Sequence, residues 1–375
     1  MLFKDIIGQD CVKQRLIQNV KNRRVSHAQL FIGGEGVGAL PMAIAYAQYV
    51  LCTNQQADDS CGNCPSCKKL RTLTHPDVQF TAPVVNISKN SERGTTLDDY
   101  MSTWLKHVPQ HSYLNLNNWL AYTNQDSKNA VISLAAGKRI NINLAKKPFE
   151  SDYKVCIIWL PEKMNAECAN SLLKNIEEPS ENTLIIMASE SEENIISTIR
   201  SRCQKTTLPP ISENDMLHQL QQMPEAEGKD LANLAHVSQG NFNYILRLLQ
   251  ASGNDEKHER FKELMRFTYG LKYADIFEWA ESMSKLGRES QKEFLSYALS
   301  QTRENFMHNF QQKELSYLNE EELAFSSRFA PFINERNIIP LSSEFERALH
   351  DIGRNAHAGI VFIDLALRIV KLLRR

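Results

Sequence analysis

The stretch AQLFIGGEGVGALPMAIAYAQYVL, residues 28–51, sets the architecture of the chain. AQLFIGG is a short apolar run stopped by glycines, the pattern of a buried strand. LPMAIAYAQYVL restarts as a helix, with Pro41 tolerated in its first turn, where the missing N–H has no partner to lose. The loop between them, Gly33 to Gly38, keeps the rhythm of the phosphate-binding motif G-x-x-x-x-G-K-[ST]. Upstream, DCVKQRLIQNVKNRR (10–24) places Val12, Leu16, Ile17 and Val20 at helical spacing. Helix, strand, glycine loop and helix open an α/β domain.

Two more apolar runs follow, YKVCIIWL (153–160) and NTLIIMAS (182–189), separated by the helical stretch NAECANSLLKNIEE, which Pro179 stops. Strands alternating with helices imply a mainly parallel sheet. After LPPI (208–211) the pattern is helical, as in ADIFEWAESMSKL and IVFIDLALRIVKLL, and the polar run ASGNDEKHER (251–260) reads as a linker. The expected division is an α/β domain over 1–208, a small helical domain over 209–252 and a helical C-terminal domain over 253–375. Residues 86–130, rich in Asn and Ser and carrying Trp104 and Trp119, read as an insertion in the first domain.

The glycine loop lacks the side chains that handle nucleotide. A working loop cradles phosphate on backbone N–H groups, reaches the β/γ-phosphates with lysine and holds Mg²⁺ with a hydroxyl. Gly33, Gly36 and Gly38 preserve the turn, but Ala39 and Leu40 occupy the lysine and hydroxyl positions. The next strand, where an ATPase of this kind places metal-organising and water-polarising acids, ends in Trp159 and Leu160. Glu162, the nearest acid, reads as a first-turn helix residue. Two stations have lost their chemistry while the apolar framework remains, which fits a domain kept for its shape.

The formal charge of −1 gives no general attraction to nucleic acid or membrane, so any such contact needs a local patch or a partner. No apolar run reaches membrane-spanning length, and MLFKDIIGQD is too polar for a signal peptide. A cytoplasmic, reducing setting is therefore the expectation, and clustered cysteines in it favour metal over disulfides. Cys52, Cys61, Cys64 and Cys67 form C-x8-C-x2-C-x2-C, with Gly62 and Pro65 suiting the turns. Four thiolates match closed, tetrahedral, structural Zn²⁺; an iron–sulfur cluster is the alternative. Lys68, Lys69 and Arg71 would offset the negative charge. Cys11, Cys156, Cys168 and Cys203 read as packing residues. His27 and His75 read as backbone-orienting, Glu177 and Glu178 as a solvated helix end, and Asp98 and Asp99 as a helix start.

HAQLFIGGEGVG, CGNCPSC, HPDV, KVCIIWLPEKMNAECANSLLKNIEEPSENTLIIMAS and TIRSRCQ occur in the order found in bacterial clamp-loader AAA+ subunits, and together they resemble the delta-prime type of DNA polymerase III. The resemblance covers most of 1–252 outside the insertion; beyond it only NAHAGIVFIDLALRIVKLL is familiar. It implies an AAA+ P-loop-type sheet domain, a helical lid and an all-helical collar, with a zinc module where the four cysteines stand. It further implies a rigid partner that does not hydrolyse ATP. QGNFNYIL agrees, keeping Gly240 but placing Asn243 where motor subunits carry a γ-phosphate-sensing arginine. In the S-R-C motif, Ser201-Arg202-Cys203, the resemblance assigns Arg202 as an arginine finger projecting into a neighbour's ATP site; a permanently charged fork suits that task. Arg200 lies outside the motif core.

The expected function is that of a non-catalytic subunit of the replicative clamp loader, within a DNA-directed DNA polymerase assembly. It would scaffold ATPase motor and clamp-opening subunits and act on sliding clamp and primed DNA through the complex. Two other classes remain open at this point: a self-sufficient ATPase with an atypical loop, discriminated by nucleotide binding to the isolated chain, and a zinc-dependent nucleic-acid-binding module, discriminated by DNA affinity that disappears with the metal.

Overall fold

The computed structural model describes residues 1–86, 94–125, 128–250, 256–309, 318 and 320–374. Part of the 86–130 insertion and the first half of the expected linker thus lie outside the described residues. The chain divides into two compact units, the first holding Met1–Gln125, Asn129–Pro224 and Gly240–Tyr244, the second Glu225–Gln239 and Ile245–Arg375.

The first unit runs α1 (Asp10–Lys21), β1 (Ala28–Ile32), α2 (Ala39–Val50), α3 (Pro65–Arg71), β2 (Val78–Thr81), α4 (Met101–His107), α5 (Leu116–Tyr122), α6 (Leu134–Leu144), β3 (Lys154–Trp159), α7 (Ala166–Glu177), β4 (Thr183–Ser189), α8 (Ser197–Arg200), β5 (Gln204–Thr207) and α9 (Glu213–Leu220). Its strands form one sheet in the order β2-β3-β4-β1-β5, every neighbouring pair parallel.

The central strands read as unbroken apolar runs because both faces of the sheet are covered. Alternation sorts their side chains. Val155, Ile157, Trp159, Leu184, Ile186 and Ala188 join the core on the α1–α2 side. Cys156, Ile158, Ile185 and Met187 join the opposite core with Ile140 of α6 and Leu172 of α7. Asn165 caps α7 by accepting from Cys168 N at 2.8 Å, and Asn115 caps α5 by accepting from Asn118 N at 2.8 Å.

The described part of the 86–130 segment is built into this core. Trp104 and Trp119 are 0% and 1% exposed, and they meet edge to face at a ring separation of 5.3 Å. Register then places three strand ends side by side: Ile32 pairs with Ser189, and Ala188 with Trp159. The loop leaving β1 therefore sits beside the ends of β3 and β4, at the crevice where open parallel sheets place ligands.

The second unit is helical: α10 (Leu231–Val237), most of α11 (Phe242–Gln250), α12 (Glu256–Tyr269), α13 (Tyr273–Ser284), α14 (Arg288–His308), α15 (Glu320–Phe329), α16 (Ile338–Gly353) and α17 (Ala358–Leu372). Phe261, Trp279, Phe294, Phe345 and Phe362 anchor its core. The second half of the expected linker is not a linker: residues 256–260 open α12. Their polarity belongs to a solvated helix face on which Arg260 pairs with Glu256, and His258 and Phe261 turn inward.

Candidate functional site

The glycine loop closes on itself and on two other segments. Gly36 and Gly38 have φ of +73° and +99°, a region L side chains rarely adopt. A Cβ on Gly36 would lie 2.0 Å from Asn241 Oδ1, and one on Gly38 would lie 3.0 Å from Tyr113 Cε1. Glu35 accepts from Asn115 Nδ2 at 3.1 Å and from Asn243 Nδ2 at 2.9 Å. Phe242 N donates to Gly36 O at 3.2 Å. Asn243 is thus a buried brace for the loop. The space left among Gly33, Gly38, Ala39, Tyr113, Trp159 and Ser189 is ≈ 20 Å³, about what one water requires. Leu40, at the hydroxyl position, is itself buried in the core.

At the second station Trp159 and Leu160 are 3% and 1% exposed. Trp159 packs on Trp104 at a ring separation of 5.9 Å. Leu160 takes φ +55°, an uncommon conformation for a branched side chain. Glu162 accepts from Ser189 Oγ at 2.8 Å and Glu190 N at 3.0 Å. Burial dominates over these donors and raises its pKa above the usual carboxylate value. It binds the end of β4 and does not line the space beside the loop.

Arg202 is exposed, just beyond α8. Its Nε donates to Glu177 at the end of α7, and its Nη1 donates to Thr198 O at 3.0 Å. Arg200 lies 4.0 Å from Glu192. The pairing of Arg202 with Glu177 was not foreseen from sequence. Residue type alone marks an acid before a proline as a helix end and carries no signal of the partner.

The four clustered thiols converge, with all ligand atoms within 4.8 Å of one another. Cys52 Sγ lies 4.0 Å from Cys64 Sγ, and Cys61 Sγ lies 4.0 Å from Cys67 Sγ. Zinc–sulfur bonds of about 2.3 Å in a tetrahedron need sulfurs about 3.8 Å apart. Backbone N–H groups of Cys61, Cys64 and Cys67 donate to Cys52, Cys61 and Cys64 Sγ at 3.3, 3.3 and 3.4 Å, orienting three of the four sulfurs. Burial opposes ionisation of Cys64, yet hydrogen bonds from Cys67 N and Thr53 bring its thiol down to about 6. Burial raises Cys52 and Cys67. Such a set fits a divalent cation that displaces the remaining protons, and its service would be to clip the loop after α2 to α3.

A family model described as "DNA polymerase III, delta subunit" matches residues 8–212. The chain belongs to that family. DNA polymerase III subunit delta' of Bacillus subtilis is 26% identical over 66% of this chain and 60% of that protein. The Pseudomonas aeruginosa subunit delta' is 26% identical over 58% and 53%. The chain thus spans less than two thirds of the length of these relatives, both of which are named subunit delta'. A solved gamma-subunit-related protein of Thermotoga maritima is 13% identical with a TM-score of 0.37, over 96% of this chain and 99% of that one.

For this delta-prime-type chain the cysteine geometry yields a direct expectation. Purified without chelator, it carries about one zinc, and Cys64→Ser with Cys67→Ser removes it, read by elemental analysis. Because the ligands must be deprotonated, acid releases the metal and rising pH restores it.

A second expectation concerns the HPDV stretch. Asp77, 2% exposed, accepts from Phe149 N, from Glu150 N at 2.9 Å, and from Ser151 N and Oγ at 3.0 and 2.8 Å. Burial works against its charge, but these donors outweigh it and hold the carboxyl below the usual range. A depressed folded value means the stabilisation is present above the unfolded pKa of about 3.9 and is lost as pH falls through the folded one. Asp77→Asn therefore costs about 2 kcal/mol at pH 7. In urea titrations the gap from the unaltered protein should shrink as pH falls below about 4. His75 Nδ1 accepts from Asp77 N at 3.1 Å, and His27 Nε2 lies 2.7 Å from Ile176 O, so both rings contact backbone.

Proposed function

We infer that the chain is a non-catalytic subunit of the replicative sliding-clamp loader that presents Arg202 in trans to a neighbouring ATPase subunit. The observation that carries this reading is the contrast between two sites in one unit. The glycine loop has about 20 Å³ beside it, carries Ala39 and Leu40 in place of the motif's lysine and hydroxyl, and lies beside the end of β3, where Trp159 and Leu160 stand instead of acids. The S-R-C arginine, by contrast, stands exposed with one carboxylate partner. Membership of the DNA polymerase III family supplies the complex in which such an arginine has a substrate. The proposal keeps the division into a sheet body over 1–208, a lid over 209–252 and a collar over 253–375. Motor and clamp-opening subunits are its direct partners, and clamp and primed DNA are reached through them. It also keeps structural zinc at the four cysteines and a cytoplasmic location; among the described residues no helix is long and apolar enough to cross a membrane.

The test is reconstitution. Mixed with candidate motor and clamp-opening subunits, the chain should co-elute as one complex and be required for DNA-stimulated ATPase and clamp loading. Steady ATP turnover by the pure chain, or full clamp loading without it, would overturn the reading.

A further inference from the structure

The missing lysine and hydroxyl explain why the loop would bind nucleotide poorly, but not why so little space adjoins it. That space is taken by the chain itself. The connection between α4 and α5 lays Tyr113 against Gly38, with ring atoms 3.0–3.3 Å from where a Cβ there would stand. The ring is fixed at several points. Its hydroxyl accepts from Ile7 N at 2.9 Å, and its edge meets Phe242 at a ring separation of 5.2 Å. Leu114 and Leu116, 7% exposed each, sink into the core on its C-terminal side. Asn115 caps α5 with its oxygen and grips Glu35 of the loop with its nitrogen. The same segment leads through α4 and α5 to Trp104, which packs on the tryptophan at the acidic station.

We propose that residues 112–116 are a built-in occupant of the nucleotide cradle, a steric barrier separate from the lost lysine and hydroxyl. A nucleotide site needs a pocket of some hundreds of Å³; the cradle has room for about one water. Gly36 and Gly38 are retained under this reading because the close approach of Asn241 and Tyr113 leaves no room for a side chain. Phosphate chemistry is not required to explain them. The barrier belongs to the chain alone and does not depend on the clamp-loader reading.

The test restores the chemistry with and without the barrier, in the full-length isolated chain, so failure of the clamp-loader reading leaves it untouched. Ala39→Lys with Leu40→Thr rebuilds the motif while keeping every residue of the segment. Titrated with ATP, with Mg²⁺ and with EDTA, this double variant should show no saturation up to about 1 mM. Adding Tyr113→Ala should bring binding into the micromolar range, a gain of at least about tenfold. Tyr113→Ser serves if the alanine variant does not unfold cooperatively. Micromolar binding by the double variant, with Tyr113 intact, overturns the proposal. So does failure of a cooperatively folded triple variant to bind, since the obstacle would then lie in the loop itself.

Discussion

Arg202→Ala leaves the chain folded and assembled while hydrolysis at one site of the complex falls by about 10³-fold. Folding survives because the side chain is exposed and its pair with Glu177 joins two half-exposed groups; such surface pairs contribute about 0–1 kcal/mol. In the proposed complex assembly should survive, because broad packing surfaces would outweigh one charge. On the proposed function, what would be withdrawn is positive charge and a planar fork from the neighbour's transferring phosphoryl group. Arg202→Lys restores little, since an ammonium keeps the charge but not the paired donors. In a ring with several ATP sites the total rate drops modestly while clamp loading drops further. Single-turnover hydrolysis in the reconstituted complex reads the effect, with gel filtration confirming assembly. Unchanged hydrolysis and loading by an assembled Arg202→Ala complex would remove the arginine's role and leave the scaffold reading standing.

The second large effect is structural. Trp104→Ala should destabilise the first unit by about 3–5 kcal/mol, the usual cost of emptying a buried aromatic site. Trp104 touches Trp119, Trp159 and Phe80 at ring separations of 5.3, 5.9 and 5.9 Å, so the cavity would open between the insertion, the sheet and the former acidic station. Of the four tryptophans in the chain, only Trp279 belongs to the second unit. Tryptophan fluorescence during urea unfolding therefore reports mainly on the first. A midpoint unchanged from that of the unaltered protein would mean that the insertion is laid over the core and not built into it.

The central strands were legible because burial on both faces leaves a continuous apolar run that local reading detects. β2 and β5 were not read: each is four residues long, and in QKTT of β5 only Thr206 is buried. With one inward side chain β5 keeps no period, and VQFT of β2, though three of its residues are buried, is too short for its alternation to stand out. The cysteine cluster was legible because three of its four members share a tight local spacing. The strap at 112–116 was not, because SYLNL carries no motif and acquires its role only by meeting a loop distant in sequence. The losses at Ala39, Leu40, Trp159 and Leu160 were visible as substitutions. What now fills the space they vacated was not, since packing partners of a tryptophan cannot be read from composition.

α2 begins at the glycine loop and ends two residues before Cys52, the first of the clustered thiols, and ten of its twelve residues are buried. Tyr113 lies against Gly38 at the forward end, and the clustered thiols begin two residues beyond the rear end, so both ends of the helix are tied to fixed neighbours. Its amide protons should exchange together and only through unfolding of the whole unit, with metal removal freeing the rear turns first. In the complex proposed above, such a strut would serve as a fixed datum for any nucleotide-driven movement of its neighbours.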